Sequence, residues 1–137
     1  MNKSAANIVT FTCNWDGLSC VDSAAQAGLS YPASIRVIRV TCLSRVHMGL
    51  ILKAFELGAD GVILLGCEPG NCQFDADADH ITQEYEKARM ILKLLGLREE
   101  RLALYYVPRG DGPGFVKRVT AFFNEIEQLQ PGVLSRA

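Results

Sequence analysis

The chain has 137 residues, of which 49% are hydrophobic and 21% charged, a profile that excludes a disordered or fibrous protein and fits one domain with its own core. Fourteen Lys and Arg against fifteen Asp and Glu leave a formal charge of −1, which offers no basic footprint for nucleic acid. Apolar runs such as residues 62–65 are far short of the roughly 20 residues of a membrane-spanning helix.

Residues 1–6 show no apolar signal segment, so the expected compartment is the reducing cytoplasm. Residues 7–12 (NIVTFT) are β-branched and aromatic between polar flanks and predict a first strand. Asp16 or Ser19 is placed to cap a short helix through Val21, Ala24 and Ala25 that stops at Gly28. Residues 35–41 (IRVIRVT) predict a second strand, ending just before Cys42. Ser44 is the expected cap of a helix of about a dozen residues whose face carries Met48, Ile51, Leu52 and Phe55, with Gly58 past its end.

Residues 61–66 (GVILLG) are almost wholly apolar, as expected of a central strand covered on both faces. Acidic residues from Asp75 to Asp79 lead into a long helix with Ile81, Tyr85, Ala88, Leu92 and Leu95 on one face. They lack the spacing of a calcium-binding loop. Residues 102–107 (LALYYV) predict a fourth strand, a Gly/Pro-rich loop follows, and a last helix carries Phe115, Val119, Phe122, Ile126 and Leu129. Residues 133–137 are expected to fray. Strands that alternate with helices at this spacing predict an α/β fold: a single three-layer flavodoxin-like domain over residues 1–137, with a four-stranded parallel sheet.

Five cysteines are present, at 13, 20, 42, 67 and 72, and an odd number in a chain that needs no staples argues against a disulfide framework. Cys13, Cys42 and Cys67 each follow a predicted strand, and Cys72 lies five residues further along the loop Cys67-Glu68-Pro69-Gly70-Asn71-Cys72. In a parallel sheet those strand ends share one edge, where open α/β sheets bind ligands. One cysteine at a strand end is ordinarily a small buried hydrophobe; four at one edge point to a metal or redox site. Cys20, one turn into the first helix, is a further candidate that reads equally well as core.

Helix N-termini at that edge are expected to lower thiol pKa values, and Gly66 and Gly70 to let backbone amides approach. Four thiols without a well-placed histidine favour iron–sulfur or zinc over harder ions. His47 and His80 sit at helix starts, where capping or solvation is the simpler role. Arg45 stands beside Cys42, and Trp15 stands at the site edge as a shield, an interface anchor or part of the core. No phosphate loop, dinucleotide fingerprint or nucleophile elbow occurs.

These residues resemble the delta (iron–sulfur) subunit of methyl-viologen-reducing hydrogenase, a family associated with heterodisulfide-reductase-type complexes. The matching stretches are Phe11-Thr12-Cys13-Asn14-Trp15, Tyr31-Pro32, residues 35–42, Ser44-Arg45-Val46, residues 52–62 and Gly66-Cys67-Glu68-Pro69-Gly70-Asn71-Cys72. Together they cover roughly residues 7–107, and the last loop is the most specific. The resemblance implies a non-catalytic electron-transfer subunit carrying a [2Fe–2S] cluster on Cys13, Cys42, Cys67 and Cys72. It would relay electrons between a heterodisulfide-reductase-like flavoprotein subunit, on one side, and a hydrogenase or other redox subunit on the other. The chain departs from the family pattern at Asp16, where a cysteine is usual, at Thr12, where one is frequent, at His47, where an acidic residue is common, and in the extra Cys20. A non-redox adaptor with structural zinc or a vacant thiol site is the alternative, and a thiol–disulfide enzyme using Cys67 and Cys72 lacks a C-x-x-C motif and an evident base.

Overall fold

The apolar segments divide into strands and helices largely where their periodicity places them. The computed structural model describes residues 6–69 and 78–129. Its elements are β1 (Ile8–Cys13), α1 (Asp16–Gln26), β2 (Ile35–Val40), a 3-10 turn (Leu43–Arg45), α2 (Met48–Glu56), β3 (Gly61–Cys67), α3 (Ala78–Leu94), a second 3-10 turn (Glu99–Arg101), β4 (Leu102–Val107) and α4 (Gly112–Gln128). The strands form one sheet in the order β2-β1-β3-β4. Every pairing is parallel, with Ile8 opposite both Ile35 and Gly61, and Val62 opposite Leu102. The expected α/β domain with a four-stranded parallel sheet is present, and its strand order is that of the first four strands of the flavodoxin type.

Alternation along β3 makes the layers. Val62 and Leu64 face α2 and α3, packing with Ile51, Phe55, Ala88 and Leu92. Ile63 and Leu65 face α1 and α4, packing with Ala24, Phe115, Val119 and Phe122. All seven residues of β3 are buried, as a strand covered on both faces requires. β2 lies at the sheet edge and leaves Arg36, Ile38 and Arg39 exposed.

Several boundaries differ from expectation for identifiable reasons. β1 and β3 continue one residue further, so Cys13 and Cys67 are the last residues of their strands rather than the first beyond them. β2 stops at Val40, and Cys42 is the residue before the first 3-10 turn. Ser44 lies inside that turn, and α2 starts only at Met48, capped by His47, whose Nδ1 accepts the Gly49 N–H at 3.1 Å. The turn seats Leu43 over Gly66, where a Cβ would come within 2.5 Å of Leu43 Cδ1. Gly66 therefore makes room for a side chain. α3 begins at Ala78 with Asp79 in its first turn, while Asp75 and Asp77 lie outside the described residues. Arg101, the last residue of the second 3-10 turn, is buried, and its Nη1 donates to the Asp60 carbonyl at 2.9 Å. No helix among the described residues is long and apolar enough to cross a membrane.

Phe115 is fully buried and meets Tyr31 edge-on, with ring centroids 5.3 Å apart. Replacing Phe115 by Ala is expected to cost about 3–5 kcal/mol in chemical denaturation, because the space between α1, α4 and the sheet cannot collapse around the missing ring.

Candidate metal centre

β1 and β3 are neighbours in the sheet, but the chain leaves β1 toward β2 and leaves β3 toward β4, in opposite directions. Such a reversal opens a crevice at the carboxyl ends of the two strands. Cys13 closes β1 and Cys67 closes β3. Their sulfur atoms are 3.6 Å apart, and the residues are 3% and 9% exposed. Thiolates sharing one tetrahedral metal through bonds of about 2.3 Å stand about 3.8 Å apart. The pair is therefore spaced to ligate one thiophilic metal.

α1 begins three residues after Cys13. Its N-cap, Trp15, makes no side-chain capping bond, so the first-turn N–H groups must find other acceptors. The Gly17 N–H donates to Cys13 Sγ at 3.1 Å, and the Asp16 N–H is directed at Cys67. Gly17 is needed for this approach, since a Cβ there would lie 2.3 Å from Thr12 Oγ1, 3.0 Å from the Leu65 carbonyl and 3.2 Å from Cys13 Sγ.

The electrostatics depart from the sequence expectation. Burial pushes the Cys67 thiol up to about 12; the Asp16 N–H counters this in part, and the charge of neighbouring Cys13 raises it further. Desolvation outweighs the helix terminus. In the metal-free pair a proton is held tightly, and a bound cation would have to displace it.

Asp16 is neither the cap of α1 nor turned to the sulfurs. Its carboxylate is buried and accepts from Arg109 Nε at 2.9 Å. Ser19 Oγ donates to the Asp16 carbonyl at 2.6 Å and accepts the Gly110 N–H at 2.9 Å. Cys20 is fully buried, and its thiol donates to the Pro108 carbonyl at 3.1 Å. Its structural role is to tie α1 to the loop after β4. Asn14, Trp15, Asp16, Ser19, Asp22 and Arg109 line a cleft of about 350 Å³ beside the centre.

The structure thus joins two of the predicted thiols. Cys42 is 4% exposed before the 3-10 turn, and Cys72, like Gly70, lies outside the described residues. Among the described residues no three His, Cys, Asp or Glu side chains gather into a metal-holding group. Trp15 is 39% exposed, which settles its role against core packing. His47 caps α2, while His80 and Arg45 are exposed. Sequence reasoning missed Gly17 and Arg109. A glycine one residue inside a helix start signals close backbone approach, and Arg109 carried no signal beyond its place in a loop at the same sheet edge.

Two outcomes follow from this geometry. Gly17→Ala is expected to destabilise the chain by about 1–3 kcal/mol, measured by urea denaturation, because the methyl group must push Thr12 and Cys13 apart from α1. With the Cys67 thiol raised from 9.0 to about 12, the folded metal-free pair keeps a proton that the unfolded chain releases. Its contribution is fully present below pH 9 and is lost as pH rises toward 12. The fall in stability between pH 8 and pH 10 should be larger in the parent chain than in Cys67→Ala, which keeps the Cys20 thiol that burial also pushes up.

Comparison with known proteins bears on this centre. The family model FlpD, methyl-viologen-reducing hydrogenase, delta subunit, matches residues 8–130. The iron-sulfur subunit of a vhc hydrogenase from Methanococcus voltae is 35% identical over 93% of this chain and 88% of its own length. A hydrogenase iron-sulfur subunit of Archaeoglobus profundus is 34% identical over 91% of each chain. A heterodisulfide reductase subunit of Methanosarcina mazei is 32% identical over 90% of this chain, which spans only 16% of that relative's length. With a match running from β1 through α4, the chain belongs to the methyl-viologen-reducing hydrogenase delta subunit family.

Proposed function

We propose that the chain is a non-catalytic electron-transfer subunit, one iron–sulfur domain that holds a cysteine-ligated [2Fe–2S] cluster. It relays electrons between a heterodisulfide-reductase-like subunit carrying flavin and Fe–S centres, on one side, and a hydrogenase or other redox module on the other. The observation that supports this best is the buried Cys13–Cys67 sulfur pair, 3.6 Å apart at the switch point of the sheet. The relatives named as iron-sulfur subunits make iron the favoured metal for such a pair. Cys42 and Cys72 are proposed to complete the ligand set from the loops after β2 and β3. The cluster would supply a one-electron centre whose potential depends on burial and on hydrogen bonds to sulfur.

The chain's own residues supply that environment. Gly17 and Asp16 present backbone N–H groups to the two sulfurs, which stabilises thiolate charge as ligand. The buried ends of β1 and β3 keep water from the pair. Trp15, exposed beside the centre, is proposed to meet a redox partner, as aromatic anchors do in interfaces. A cytoplasmic setting accords with the free thiols of Cys13, Cys20 and Cys67.

The test is metal and sulfide analysis with visible and EPR spectra of protein purified without oxygen. About two irons and two sulfides per chain, with a signal appearing on dithionite reduction, are expected. Cys13→Ser and Cys67→Ser should each lose most of the iron, whereas Cys20→Ser should keep it. Stoichiometric zinc without iron would replace the electron-transfer reading with that of a structural adaptor.

A further inference from the structure

The thiol pair does not stand alone at its edge of the sheet. Asp16 belongs to the same first turn whose N–H groups reach sulfur, and the carboxylate of this residue is buried with its side chain only 4% exposed. A buried carboxylate beside two thiolates would be a third negative charge in a poorly solvated place, a costly arrangement unless paired. Its partner is Arg109, whose Nε donates to Oδ1 at 2.9 Å while its side chain remains 67% exposed. Anion inside and cation at the surface is the geometry of a clamp closed from solvent.

The loop that carries Arg109 is fixed to α1 at two more points, Gly110 N–H to Ser19 Oγ at 2.9 Å and Cys20 thiol to the Pro108 carbonyl at 3.1 Å. The first two turns of α1 are thereby held from the β4 side, and they have little freedom to withdraw from the strand ends. The hydrogen bond and charge of Asp16 raise the Arg109 guanidinium above its usual range.

We infer that Asp16 and Arg109 form a positioning pair for the thiol centre: the ion pair holds the N–H donors of the first turn of α1 on Cys13 and Cys67, and it cancels the carboxylate's charge beside them. The second half of this inference rests on the proposed function, since it concerns the potential of a bound cluster. The first half concerns the protein alone. Neither residue exchanges electrons; both act through the sulfur environment.

The two halves have separate readouts. In the metal-free full chain, amide hydrogen exchange followed by NMR should quicken at Gly17 by about tenfold or more in Arg109→Gln, because an unpaired buried charge loosens the turn it belongs to. Arg109→Lys, which keeps the charge, should recover part of the protection. In iron-loaded protein, EPR-monitored redox titration should move the potential down in Arg109→Gln, where a bare carboxylate opposes the added electron. It should move up in Asp16→Asn, and the double variant Asp16→Asn/Arg109→Gln should return close to the parent value. Opposite signs that cancel cannot arise from general loosening of the fold. Unchanged Gly17 exchange in Arg109→Gln overturns the positioning role, and equal potentials in all loaded variants overturn the charge role. A parent chain that takes up no iron sinks the proposed function instead and leaves the exchange experiment intact.

Discussion

The first turn of α1 has donors and no conventional acceptor. Trp15 at the N-cap provides no side-chain oxygen, and the N–H groups that a helix start leaves over are directed to sulfur, from Gly17 to Cys13 and from Asp16 toward Cys67. The helix start and the thiol pair therefore depend on each other. Moving the helix exposes orphan donors, and moving the strand ends removes the acceptors. The absence of a side chain at Gly17 permits the approach, because Thr12, Leu65 and Cys13 already occupy the space a Cβ would need.

Burial works in two directions at this centre. It keeps a proton on the metal-free pair by raising the Cys67 thiol, and it would strengthen every interaction with a bound cation once that proton has left. The same low solvation makes the Asp16 carboxylate dependent on Arg109. A site that concentrates negative charge needs amides and cations around it. The amides come from α1 and the cation from the loop after β4, two segments on the same face of the sheet that are far apart in the chain.

The similarity to two kinds of protein fits this economy of parts. Some relatives are short subunits of nearly the same length as this chain; in the Methanosarcina mazei relative the similar stretch is 16% of a longer chain. A unit whose chemistry sits at one sheet edge can be joined to other chains without altering that edge. The exposed β2 edge and the exposed part of Trp15 lie outside the two cores, and either can be covered without disturbing β1 or β3.

The sequence by itself determined the alternation of strands and helices, the central place of residues 61–66 and the place of Cys13 and Cys67 at the ends of their strands, because apolar periodicity and strand-end position are local properties. The resemblance carried by residues 66–72 pointed to the family that the comparison then showed. Only the tertiary structure decided which thiols meet. Cys13 and Cys67 adjoin because β1 and β3 pair in the sheet, while Cys20 turns to the Pro108 carbonyl in the layer between α1 and α4. It also decided that Asp16 answers Arg109 across the fold rather than capping its own helix. Both outcomes depend on residues far apart in the chain, and on the balance between desolvation and amide donors, which no spacing of residues along a sequence encodes.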